Sequence, residues 1–143
     1  MKTRATIAIC LAAGALAGCS STDDYVDKVN DIQTQAVEAS NAIGADLNAT
    51  QKDVLIAIDS AKVEAGDAVS ELSELDVPSD AEEGHAQLVA AFDDLEKLFA
   101  DVREQIESSS GQEAFAELRT EGAEIDKEID AALDQINEDL GLK

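Results

Sequence analysis

Apolar side chains return at alternating steps of three and four along most of the chain, a rhythm that predicts helices. The clearest run is Leu88, Phe92, Leu95, Phe99, Val102 and Ile106. Pro78 stands before it, Ser79 offers an N-cap, and Glu82 lies at the capping-box spacing three residues on. Ser108, Ser109, Ser110 and Gly111 interrupt the pattern. A second run then takes in Phe115, Leu118, Gly122, Ile125, Ile129, Ala132, Ile136 and Leu140, and Gly141 is placed to close it as a left-handed C′ residue. The first half is softer, because alanine occupies many of the periodic positions. Val26, Val29, Ile32, Val37 and Ile43 predict one helix; Val54, Ile58, Ala61, Ala65, Val69, Leu72 and Leu75 predict another. Gly44, Asp46 and Asn48 fall between them as breakers, with Asn48 a candidate N-cap.

No stretch alternates with a period of two, so strands are not expected. The fold class predicted is all-α, an antiparallel four-helix bundle over residues 25–141. The alternative is a three-helix bundle whose first helix runs unbroken through both softer patterns. Such a helix of some fifty residues would reach about 78 Å at 1.5 Å per residue, about twice the length its partners could cover. Four helices of similar length bury the apolar seams better.

The first residues carry a different pattern. Lys2 and Arg4 form a positive start, an apolar run follows from Ala5 to Ala17, and Leu16-Ala17-Gly18-Cys19 ends it. The run is about 13 residues, short of the roughly 20 that a spanning helix needs. A cleaved leader, residues 1–18, is therefore expected. Small residues at Ala17 and Gly18 suit an extended backbone in a protease site, and the Cys19 thiolate is a strong nucleophile for a lipid donor. Leu16-Ala17-Gly18-Cys19 resembles the lipobox of bacterial lipoproteins. That resemblance implies cleavage between Gly18 and Cys19, a thioether-linked diacylglycerol on Cys19, and acylation, commonly palmitate, of the new amino terminus. Two or more acyl chains give stable anchoring where one is marginal. Residues 19–24, Cys19 and the polar run Ser20 to Asp24, are then expected to be the lipid site and a short tether. Cys10 leaves with the leader and Cys19 is used by lipid, so neither a free thiol nor a disulfide is expected in the mature chain.

Charge narrows the chemistry further. Among 143 residues, 32 Asp+Glu face 10 Lys+Arg, giving a formal net charge of −22. Phosphates would be repelled, so nucleic acid is not an expected partner. The carboxylates are spread along the whole chain, and no EF-hand spacing gathers them. Along the last helix Glu113–Glu117, Glu117–Glu121, Glu124–Glu128, Asp126–Asp130 and Asp130–Asp134 place like charges at i,i+4, where each pair opposes an isolated helix.

Glu82-x-x-His85 has the carboxylate–histidine spacing of di-iron bundles, but such a site needs a second histidine and the chain has one. His85 and Glu82 remain the candidates for a mononuclear metal site. The better-supported reading places His85 half-buried at the edge of the Phe92/Phe99 stripe, neutral near the positive end of its helix and without an evident orienting partner. Tyr25, the single tyrosine, reads as a packing or interfacial residue. Asn48-Ala49-Thr50 matches a glycosylation sequon that the bacterial-type leader makes accidental. No nucleophile elbow or phosphate-cradling glycine loop occurs, so no catalytic residues and no cofactor are expected.

Pro78 followed by His85-Ala86-x-Leu88 and the apolar stripe is similar to small helical lipoproteins of Gram-positive bacteria, which bring no activity with them. The expected function is a non-enzymatic interaction or structural module, lipid-anchored at Cys19 on the extracytoplasmic side of the cell membrane. A cationic or envelope protein is the partner class this implies. The alternative is a ligand-binding lipoprotein that captures a metal ion or small cationic solute.

Overall fold

The computed structural model describes residues 20–43, 50–108 and 111–142. Four helices make up almost all of it: α1 (Ser20–Ala42), α2 (Gln51–Ser73), α3 (Glu82–Glu107) and α4 (Gly111–Asp139), with a 3-10 turn at Ser79–Ala81. The predicted four-helix bundle is the observed architecture, and the first half forms two helices, not one long one. Successive helices run antiparallel. The Gln51 side-chain amide at the start of α2 donates to the Ile106 carbonyl at the end of α3 at 2.8 Å. Gly84 at the start of α3 lies against Ile136 and Ala132 near the end of α4.

α3 is the central helix. It lies within backbone contact distance of both α2 and α4, whereas α1 comes that close to α2 alone. All six residues of its predicted stripe, Leu88 to Ile106, are buried, joined by Ala91, Leu98, Gly84 and His85. These additions widen the stripe into two flanks. Gly84 and Leu98 meet Ile136 and Gly122 of α4, while Glu96 meets Gly66 of α2. Phe92 and Phe99 are the largest fully buried side chains.

α2 packs differently, through Ile58, Ala61, Ala65, Ala68 and Leu72. Alanines bury little area each but let helix axes approach closely. Its start corrects the reading of Asn48, which lies outside the described residues: Thr50 is the N-cap. The Thr50 hydroxyl accepts from the Asp53 N–H at 3.3 Å, and the Thr50 N–H donates to the Asp53 carboxylate at 2.9 Å. The Thr50 hydroxyl also donates to the Asp53 carboxylate at 2.6 Å, and this bond, with that from the Thr50 N–H, holds the carboxyl below the usual carboxylate range.

The capping box predicted at Ser79/Glu82 does not form. Ser79 enters the 3-10 turn after Pro78 and its hydroxyl turns to Asp80, while Glu82 begins α3 exposed to solvent. The register of α1 also differs. Tyr25, Val29, Ile32 and Ala36 form its buried stripe, and Val37 is 46% exposed. Tyr25 replaces Val26 because its ring spans the gap to α3. Residues 20–24, expected to be a tether, form the first turn of α1, and Ser20 is helical directly after Cys19.

α4 ends as the pattern requires. Gly141 has φ +67°, its N–H reaches the Glu138 carbonyl at 3.0 Å, and the Leu142 N–H reaches the Asn137 carbonyl at 2.8 Å. This is a Schellman closure. Ala114, Ile125, Ile129, Ala132, Leu133 and Ile136 are buried, whereas Phe115, Leu118, Gly122 and Leu140 are half-buried.

Candidate functional site

Of the residues singled out by chemistry, Gly18 and Cys19 lie outside the described residues. The others are placed as follows. His85 sits in the first turn of α3 and is 8% exposed, the one polar side chain in the core among the described residues. Its Nδ1 is 3.0 Å from the Tyr25 hydroxyl of α1, across 60 residues of sequence. The two rings stand 5.8 Å apart at a 51° tilt. The backbone of Leu72, near the end of α2, also bears on the ring, favouring its protonated form. Three helices therefore meet on one ring, and the sequence reading that gave His85 no orienting partner is corrected.

The partners assign the tautomer. A phenolic O–H is the stronger donor and an imidazole nitrogen the stronger acceptor, so the proton of the neutral ring sits on Nε2. Nδ1 is then an acceptor for the phenolic O–H of Tyr25. Among the described residues no buried side-chain nitrogen or oxygen lacks a partner. Burial holds the imidazole below its ordinary pKa, with the Leu72 backbone acting in the opposite sense. Burial also pushes the Tyr25 phenol up to about 12. Both groups are thus kept in the neutral forms that the hydrogen bond between them requires.

Glu82 does not join this node. Its side chain is exposed while the His85 ring points inward, so the i,i+3 spacing does not converge on one point. Among the described residues no group of three or more His, Cys, Asp or Glu side chains is arranged to hold a metal ion. A cleft of about 20 Å³ lies between α1 and α4, lined by Val26, Val29, Asn30, Gln33, Leu133, Ile136 and Asn137. That is room for a water molecule. A wider, open hollow at the other end is walled by Asp101, Glu104, Gln105, Ser108 and Glu117. His85 lines neither.

Comparison of the chain with family models, with curated proteins and with solved structures gave no match. The functional reading therefore stands on the residues themselves.

Among the described residues, the carboxylates spread along the sequence lie largely at the surface. Lys97 pairs with Asp93 at 2.6 Å and Asp94 at 3.1 Å, and Lys127 pairs with Glu124 at 2.6 Å, all on one helix each and exposed. Arg103 crosses helices, bridging Asp59 of α2 and Glu107 of its own helix. Such exposed pairs are worth little individually. Two large apolar side chains, Ile56 at 56% and Val63 at 59%, stand out from α2 two turns apart.

Sequence reasoning missed Tyr25. The signal was available: Tyr25, Val29, Ile32 and Ala36 hold strict helical spacing, and a tyrosine in a buried stripe needs a partner for its hydroxyl. The chain has one histidine to provide it.

Proposed function

We propose that this chain is a bacterial-type lipoprotein whose bundle serves as a non-enzymatic interaction or structural module at the extracytoplasmic face of a membrane. The observation that carries the reading is Leu16-Ala17-Gly18-Cys19 at the end of a charged-then-apolar leader. Helix α1 beginning at Ser20 is compatible with it and adds a consequence. An anchor on Cys19 would join the bundle with no irregular spacer, holding the end where α1 starts and α4 finishes close to the bilayer. The described helices are not themselves long and apolar enough to cross a membrane.

The interaction role rests on surface and interior together. The core is filled, and the polar side chains within it are engaged with one another. What the bundle presents outward is carboxylate, on a chain with net charge −22. A partner with a cationic face, such as an envelope protein, fits that surface through steering and complementarity.

The test replaces Cys19 with Ser. Wild type should incorporate labelled fatty acid and sediment with membranes, and the variant should do neither. Unchanged labelling and fractionation in Cys19→Ser would refute the anchor. Crosslinking of the anchored protein in intact cells should then give salt-sensitive adducts with basic envelope proteins; elemental analysis showing stoichiometric metal instead would favour the ligand-binding alternative.

A further inference from the structure

We propose that the Tyr25–His85 contact is an acid-sensitive lock, fastening α1 to the other three helices at neutral pH and loosening it on mild acidification. The geometry makes α1 the helix with most to lose. It comes within backbone contact distance of α2 alone, and its buried stripe is Tyr25, Val29, Ile32 and Ala36. α3 and α4 share a broader apolar seam that owes nothing to the histidine. The ring of His85 is the point at which α1 reaches α3 by a hydrogen bond, at 3.0 Å.

Protonation inverts that bond. In the neutral ring Nδ1 accepts and the Tyr25 hydroxyl donates. The imidazolium carries N–H at both nitrogens, so Nδ1 confronts the phenol as a donor. The hydroxyl can turn its oxygen toward the new N–H only by withdrawing its own proton from the one acceptor it has there. The phenol cannot ionise to compensate, since burial holds it up at about 12. A unit charge is meanwhile added to a ring that is 8% exposed.

Among the described residues no carboxylate contributes to the titration of the ring. α1 offers the ring a phenol, and only burial and the Leu72 backbone act on its titration. The carboxylates in the first turn of its own helix, Glu82 and Glu83, are exposed, as are Asp24 on α1 and Asp76 and Asp80 in the connection before α3. From α4, Ile136 and Ala132 meet the neighbouring Gly84 with apolar and backbone atoms. Burial outweighs the Leu72 backbone and favours the neutral ring.

The sign follows from linkage. Burial places the folded-state pKa of His85 below the unfolded value near 6.5. The docking of α1 is complete above that unfolded value and weakens as pH falls from it toward the folded one. Relief of carboxylate repulsion acts oppositely and at lower pH, where acidic side chains begin to protonate. The lock should therefore open before the rest of the bundle responds to acid.

Hydrogen exchange of the full chain in detergent micelles, at about pH 7.5 and about pH 5.5 with intrinsic rates corrected, tests this. The α1 amides should lose protection severalfold between the two pH values. Those of α3 and α4 should hold theirs. In His85→Gln, α1 protection should no longer depend on pH in this window. Equal α1 protection at both pH values in wild type, loss of protection in all four helices together, or the same acid response in His85→Gln would each overturn the proposal. Should His85→Gln fail to fold, NMR of wild type decides. The His85 ring and the α1 amides should titrate with one midpoint, below the ordinary histidine range, and separate midpoints would overturn the lock.

Discussion

α3 and α1 are both amphipathic helices of similar length, yet they are held in different ways. α3 lies between two neighbours and buries Leu88, Phe92, Leu95, Leu98, Phe99, Val102 and Ile106. α1 brings its backbone close to α2 alone and buries Val29, Ile32 and Ala36 with a tyrosine whose hydroxyl must be satisfied. Area carries the first helix, and area plus one hydrogen bond carries the second. Apolar burial is non-directional and insensitive to pH, whereas a hydrogen bond between two neutral rings is directional and depends on protonation. The comparison teaches that a small bundle can hold a robust pair of helices and a conditional one in a single fold.

Removing a large side chain from α3 should have the greatest effect. Phe92→Ala empties a fully buried site and should cost about 3–5 kcal/mol of unfolding free energy in urea titrations followed by circular dichroism. Val63→Ala, on the exposed face of α2, should stay within about 0.5 kcal/mol. A similar loss in both would mean that α3 is not the centre of the bundle.

Close approach of α3 to α4 comes next. A Cβ on Gly84 would stand 2.9 Å from Ile136 Cγ1, 3.0 Å from the Ile136 nitrogen and 3.1 Å from the Ala132 oxygen. Two of those atoms are backbone and cannot swing aside. Gly84→Ala should lose roughly 2 kcal/mol despite the better helix propensity of alanine. A gain in stability would show that the two helices are not in the contact described.

Tyr25→Phe keeps the ring and removes the hydroxyl, leaving His85 Nδ1 without its donor. The expected cost is about 1 kcal/mol, read in α1 before the other helices when exchange is followed peptide by peptide. A uniform loss across all four helices would erase the distinction between α1 and α3.

Gly66→Ala should raise stability. Its new Cβ would meet the Glu96 carboxyl at 3.3 Å, the far end of a flexible side chain, and the helix gains about 0.5–1 kcal/mol from the exchange. The two glycines thus give opposite signs for one substitution, and a urea titration of each variant separates them.

Salt should produce the smallest change. Raising ionic strength from about 0.01 M to 0.15 M shortens the Debye length from about 30 Å to 8 Å. The melting temperature should rise by a few degrees, because like charges such as Asp126 and Asp130 are neighbours on α4; burial and that neighbour already push the Asp126 carboxyl above its ordinary range. A fall in melting temperature would mean that attractive pairs such as Arg103–Asp59 outweigh the repulsion.

By itself, the sequence determined the all-α class, the end of α3 and the span of α4, the complete stripe from Leu88 to Ile106, and the left-handed stop at Gly141. Each depends on spacing within one element or on a single residue's conformational freedom, which is local information. It also contains the charged-then-apolar run that ends in Leu16-Ala17-Gly18-Cys19, on which the functional proposal rests. Tertiary structure decided what local spacing leaves open. Thr50 in place of Asn48 as the cap of α2, Ala36 in place of Val37 as the buried position of α1, and the unequal roles of Gly84 and Gly66 all follow from which surface each helix meets. The pairing of Tyr25 with His85 belongs to the same class. A helical period says which residues share a face; it carries no information about which face, 60 residues away, will supply the partner for a buried hydroxyl.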